Sequence, residues 1–174
     1  MPDLERAILT GIVVSVLVHV WNTGEIKVKL LRQDGALFRE HDPGRTPGKA
    51  SPIAIVHLDG DLYFGSASDL QDKLREVADQ PGTQVYILRL KRVNVVDISA
   101  FEVVESFIEK ALEEKRHVLL CGVSPAMARF IAKIGLAARV GEANIFPAEE
   151  TIYASTNKAY SRAQELVGKP EGGV

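Results

Sequence analysis

The 174 residues carry 21 lysines and arginines against 23 aspartates and glutamates, a net charge of −2, and 46% of them are hydrophobic. That length buries one sizeable core and leaves a little over for an appendage, while the balanced charge, with no aromatic-rich basic tract, argues against nucleic acid as a partner. The one cysteine, Cys121, rules out an internal disulfide and sits in the apolar run Val118–Val123, where it packs as a small hydrophobe, as suits a reducing compartment.

In chain order, the appendage comes first. No charge falls between Ala7 and Gly24, and the middle reads Ile-Leu-Thr-Gly-Ile-Val-Val-Ser-Val-Leu-Val-His-Val-Trp. The uncharged length just reaches the ~18 residues of a candidate membrane span. Residues 1–24 are therefore expected to be a hydrophobic, membrane-spanning helix, with residues 7–24 in contact with lipid. A cleaved signal peptide fits poorly, because the segment opens with Asp3, Glu5 and Arg6 and leaves through Trp21, Asn22 and Thr23. Lys27, Lys29 and Arg32 follow and put the downstream part on the cytoplasmic side. A core helix or an amphipathic surface helix is the competing reading.

Residues 25–168 then form one α/β domain, with 169–174 as a flexible tail. Ile26, Val28 and Leu30 alternate with Lys27 and Lys29, and Asp34-Gly35 leads into Ala36–His41, the pattern of a β-hairpin with one wet face. Asp42–Pro52 has three prolines and no apolar period, so it reads as a loop. Strands follow at Ile53–Leu58, Val85–Leu90, Val118–Val123 and Ala143–Phe146. Between them, Ala67, Leu70, Leu74 and Val77 mark a helix that Ser66 and Asp69 open as a capping box and Pro81-Gly82 closes. Ser124-Pro125 starts another, reaching Gly135 with Met127, Phe130, Ile131 and Ile134 inward. Glu149–Leu166 is the terminal helix, with Ile152, Thr156, Ala159 and Ala163 on one face. Strands alternating with helices imply parallel pairing through right-handed crossovers, and the hairpin adds an antiparallel edge.

The stretch Val93–Phe101 is the junction around which the domain is organised. Its apolar run stops at Asp97, and from Ser99 onward Phe101, Val104, Ile108, Ala111 and Leu112 recur at helical spacing to about Lys115, with Glu102, Glu105, Glu109 and Glu113 on the other face. Asp97 or Ser99 serves as N-cap, and the loop ends in exposed amides that suit an anion or a protein surface. Asp97, Ile98, Ser99, Ala100 and Phe101 are thus the candidate partner loop. Arg89, Lys91 and Arg92 lie just before it and are the candidate contacts for an anion or a weakly bound nucleotide, unless they are simply solvated. No catalytic constellation and no metal site is expected: the alternation of His57, Asp59 and Asp61 straddles a strand end and an Asp-Gly turn, where backbone geometry explains it. Asp97 as a phosphoacceptor lacks acidic neighbours at the preceding strand ends to hold magnesium.

Three segments, Ile53–Leu74 (IAIVHLDGDLYFGSASDLQDKL), Val85–Phe107 (VYILRLKRVNVVDISAFEVVESF) and Val118–Leu136 (VLLCGVSPAMARFIAKIGL), together resemble a STAS domain, the family named for sulfate transporters and anti-sigma-factor antagonists. The resemblance spans about Glu25–Leu166. It is greatest to the cytoplasmic C-terminal domain of SulP-type anion transporters, where an Asp-Gly-x-Leu-Tyr/Phe-Phe segment precedes the first helix, as Asp59–Phe64 does here. The front of the chain is similar to the last transmembrane helix of those transporters.

The resemblance implies a mixed β-sheet flanked by helices and a non-catalytic role in regulating or assembling a sulfate or bicarbonate transporter, as a C-terminal piece without the transport core. The implied partners are the transporter membrane domain or a regulatory protein, with a second copy of the chain as a further candidate. Some relatives bind nucleotide near the junction loop, although no cofactor is required. A free-standing signalling module that binds an anti-sigma factor or kinase is the alternative. In those antagonists a phosphorylatable serine follows the loop aspartate, whereas here Ile98 follows Asp97 and Ser99 comes one residue later.

Overall fold

β-Branched and leucine-rich runs alternate with stretches of helical period, and each becomes the element its pattern dictates. The computed structural model describes residues 2–22, 27–34, 37–41, 51–60, 62, 66–93, 97–151 and 153–167. Its elements are α1 (Pro2–Asn22), β1 (Lys27–Asp34), β2 (Leu37–His41), β3 (Ile53–Asp59), α2 (Ala67–Ala78), β4 (Val85–Arg92), α3 (Ile98–Glu113), β5 (His117–Val123), α4 (Pro125–Lys133), α5 (Leu136–Val140), β6 (Ile145–Pro147) and α6 (Ala154–Leu166). One sheet orders the strands β2-β1-β3-β4-β5-β6. The hairpin side is antiparallel and β3 through β6 are parallel, so the sheet is mixed, as expected.

Side-chain alternation along the strands sends residues to two separate clusters. Val56, Leu58, Tyr86, Leu88, Leu90, Val118 and Leu120 meet the apolar stripes of α2, α3, α4 and α5 on one face. Leu31, Ile53, Ile55, Val85, Ile87, Leu119 and Cys121 lie on the other, under Ala159 and Ala163 of α6. β1 does not keep the one wholly wet side its alternation implies: Val28 and Leu31 are both buried, on opposite faces. The central strands are buried on both faces, which explains their continuous apolar runs.

Several details differ from the sequence expectations, among them the last strand, which starts at Ile145 after a 3-10 turn over Glu142–Asn144 rather than at Ala143. Ser66 sits before α2 with a helical backbone and makes no side-chain cap hydrogen bond, and Asp69 pairs forward with Lys73 at 2.6 Å, so there is no capping box. The helix opened at Asp97 stops at Glu113, followed by Lys115 in the left-handed region. Gly135, with φ at 77°, ends the helix begun at Ser124 and lets the chain turn into the unexpected α5, whose Leu136 and Val140 are buried one turn apart. The terminal helix starts at Ala154 rather than Glu149. The Ser124 cap is present, its hydroxyl accepting from the Met127 amide at 3.2 Å, with Pro125 in the first turn. The turn at Gly35, the loop 42–50, Asp61, Ile152 and the tail 169–174 lie outside the described residues.

The front segment forms the expected helix but is not supported as a span. Among the described residues, no helix is long and apolar enough to cross a membrane. The described side chains of α1 are those of residues 4–18. These side chains are all exposed, and Leu4, Ile8, Leu9, Ile12, Val13, Val14, Val16, Leu17 and Val18 place apolar surface on every side of the helix.

Candidate functional site

The junction is built where β4 hands over to α3. Asp97 has an extended backbone, and its carboxylate accepts the Ser99 amide at 2.9 Å, so Asp97 is the N-cap. Its own N–H donates to the Leu62 carbonyl at 2.6 Å, and its carbonyl accepts from Phe101 at 3.0 Å. Leu62 is fully buried, so the connection after β3 pins the junction from beneath. Residues 94–96 are outside the described set.

The five candidate loop residues divide into supports and display. Ala100 and Phe101 are buried, and the Phe101 ring meets Phe130 of α4 edge to face at a centroid distance of 4.9 Å. Asp97, Ile98 and Ser99 face solvent. Ile98 is 67% exposed, and among the described residues outside α1 it is the large apolar side chain left in that state. Ile98 thus stands in water between the Asp97 carboxylate and the Ser99 hydroxyl at the start of α3. Arg139 of α5 stiffens the same helix further along by bridging Glu105 and Glu109, so part of the glutamate face is paired rather than merely wet. No spacing in the sequence announces that bridge.

Arg89 and Lys91 do not gather at the helix start. Arg89 and Lys91 alternate with Leu88 and Leu90, which places them on the α6 face of β4, opposite α3. Arg89 is 4% exposed, not solvated. Its Nε donates to Thr156 Oγ1 at 3.2 Å, its Nη1 lies 3.2 Å from the His57 ring nitrogens, and its guanidinium stands 5.1 Å over the Tyr153 ring. Strand register explains the meeting, since Lys29, His57, Arg89 and Cys121 are successive partners across β1, β3, β4 and β5. Lys91 Nζ donates to the carbonyls of Glu149 at 2.7 Å and Thr151 at 3.1 Å. The Arg92 side chain is outside the described set.

Cys121 is buried, 3.8 Å from Thr156 Oγ1, and burial pushes its thiol up to about 11, against smaller opposing effects of Thr156 and Arg89. His57 is buried and engaged by Arg89, while its Nε2 lies 4.0 Å from Asp59. Among the described residues, no cluster of three His, Cys, Asp or Glu could hold a metal.

A family model described as STAS domain matches residues 47–152. The chain belongs to the STAS domain family. Among solved structures, this STAS chain is similar to a sulfate transporter family protein from Wolinella succinogenes, with 28% identity over 67% of this chain and 88% of that one and a TM-score of 0.54. It is similar to murine Slc26a9, an anion transporter of solute carrier family 26 in the inward-facing state, with 17% identity and a TM-score of 0.68 over 91% of this chain and 25% of that one. It also shares its fold with an anti-sigma factor antagonist from Mycobacterium paratuberculosis, at 19% identity, a TM-score of 0.51, and coverage of 81% and 96%. The STAS chain therefore spans about a quarter of the length of the murine transporter. That match takes in more of this chain than residues 27–174 comprise, so it extends into α1. Among curated proteins, none matches this chain.

Proposed function

We propose that this chain is the non-catalytic STAS domain of a SulP-type inorganic anion transporter, carrying sulfate or bicarbonate, and that it regulates or assembles the transport core. The observation that carries the proposal is Ile98, a large apolar side chain at 67% exposure on a helix start fixed by the Asp97 cap and the buried Phe101. Such a tip docks on the transporter membrane domain or on a regulatory protein of the transporter. In support, the 28% identical structure is a sulfate transporter family protein, and the similarity to an anion transporter reaches into α1. In this reading α1, apolar on all sides, carries the domain to the membrane part of the transporter, and the sheet stays on the cytoplasmic side.

A second reading, a free-standing antagonist of an anti-sigma factor or kinase, draws on the exposed Ser99 at the start of α3. A phosphate there meets the positive end of the helix but also the Asp97 carboxylate beside it. A nucleotide site at the loop draws little from Arg89 or Lys91, because both are committed to the α6 side.

Asp97→Lys separates display from architecture. Loss of the cap costs about 1 kcal/mol, so the domain remains folded by circular dichroism, while its recovery with detergent-extracted membranes falls. Global unfolding of the variant would make Asp97 purely structural. Wild-type protein found wholly in the cytosol without detergent would favour the antagonist reading.

A further inference from the structure

The two faces of the sheet are held in different ways. On the α3 face, Phe101, Val104, Phe107 and Ile108 supply large buried side chains from one helix alone. On the other face, the buried residues of α6 are Ser155, Thr156, Ala159 and Ala163, with Tyr160 and Leu166 only part-buried at its edges. These small side chains contribute little apolar area of their own, although they cover Ile55, Val85, Ile87 and Leu119 of the sheet, and a helix of 13 residues is marginal by itself. The start of α6 has no side-chain cap, since Tyr153 occupies the N-cap position without such a bond. Ser155 Oγ and Arg162 Nε are buried there without hydrogen-bond partners, which weakens the docked state. Polar fasteners from one strand compensate: Arg89 to Thr156 and over Tyr153, and Lys91 to the carbonyls of Glu149 and Thr151.

We propose that α6 is a releasable cover, which lifts from the sheet as a unit while the α2–α5 face stays folded, with Arg89 and Lys91 of β4 as its catch. Local units of a fold open at free energies below global unfolding, and α6, which contributes only small apolar side chains of its own, is the unit this structure sets apart. Both catch residues precede the junction on the same strand, so the seating of α6 and the footing of the Asp97 loop share β4. Lifting α6 uncovers Cys121, which is fully buried against Thr156 and is the single cysteine of the chain. The thiol is thereby a built-in reporter of the open state.

The experiment is the reaction of the full chain with a disulfide reagent such as dithionitrobenzoate, across guanidinium concentrations below the unfolding transition. The wild type is expected to react at a rate nearly independent of denaturant and about tenfold or more above its global unfolding rate. Arg89→Met, which removes the fastener, raises that rate about tenfold, and Ser155→Ala, which removes a buried unpartnered hydroxyl, lowers it several-fold, about the change such groups cause. A labelling rate that follows global unfolding at every denaturant concentration overturns the proposal, as does a Ser155→Ala protein that labels no more slowly than wild type. Should Arg89→Met fail to fold, the wild type and Ser155→Ala decide the matter by themselves.

Discussion

Phe101→Ala is expected to cost about 3–5 kcal/mol of folding stability, the range for truncating a buried phenylalanine. The ring is 2% exposed and stands against Phe130 at 4.9 Å, so its loss leaves a cavity between α3 and α4. Out of a total of about 5–15 kcal/mol for a domain of this kind, that is about a fifth or more, readable as a fall in the urea midpoint at constant slope. Its neighbour three positions earlier supplies the contrast. Ile98→Ala removes a side chain that touches mostly water and should change stability by no more than about 0.5 kcal/mol. If both substitutions proved equally costly, Ile98 would be part of the core and unfit to meet a partner.

Gly122→Ala should be about as damaging, roughly 3 kcal/mol or more, for reasons of backbone rather than cavity. Gly122 has φ at +70°, where a side chain is strained, and a Cβ there would stand 2.8 Å from Lys91 Cβ, 2.9 Å from Lys91 N and 3.0 Å from Lys91 Cα. Two of those atoms are backbone and cannot step aside. The glycine sits where the pairing of β5 with β6 slips between Cys121 and Val123, so the chain must bend there. Because Lys91 holds the carbonyls before α6, the substitution should also loosen that helix, raising hydrogen exchange over Ala154–Leu166 more than over α3. Equal loss of protection in both helices would place the strain in the whole sheet.

What the sequence makes legible is local and periodic. The strand-to-helix change at Asp97, the cap it provides, the Ser124-Pro125 start and the hairpin all follow from residues within a few positions of one another, and they appear as expected. The side each residue faces across the sheet is partly legible too: in Val85–Arg92 strict alternation puts Arg89 with Val85 and Ile87, and that signal could have removed it from the solvent. That His57 stands beside Arg89, or that Arg139 reaches two glutamates of α3, depends on register and on helices distant in sequence, and no local pattern encodes either. The capping box at Ser66 fails for a partly related reason. The fold buries Ser66 with a helical backbone, while the competing partner of Asp69, Lys73 at i+4, stands in the local sequence.

Placing a photo-crosslinking amino acid at position 98 of the full chain, in cells that also express its native membrane proteins, tests whether the capped tip is the docking surface. The expected product is an adduct with a multi-span membrane transporter, recovered only with detergent and lost when Asp97 is changed to lysine. An adduct confined to soluble proteins, or one unaffected by the Asp97 change, would contradict the assignment of this STAS domain to a transporter through its junction loop.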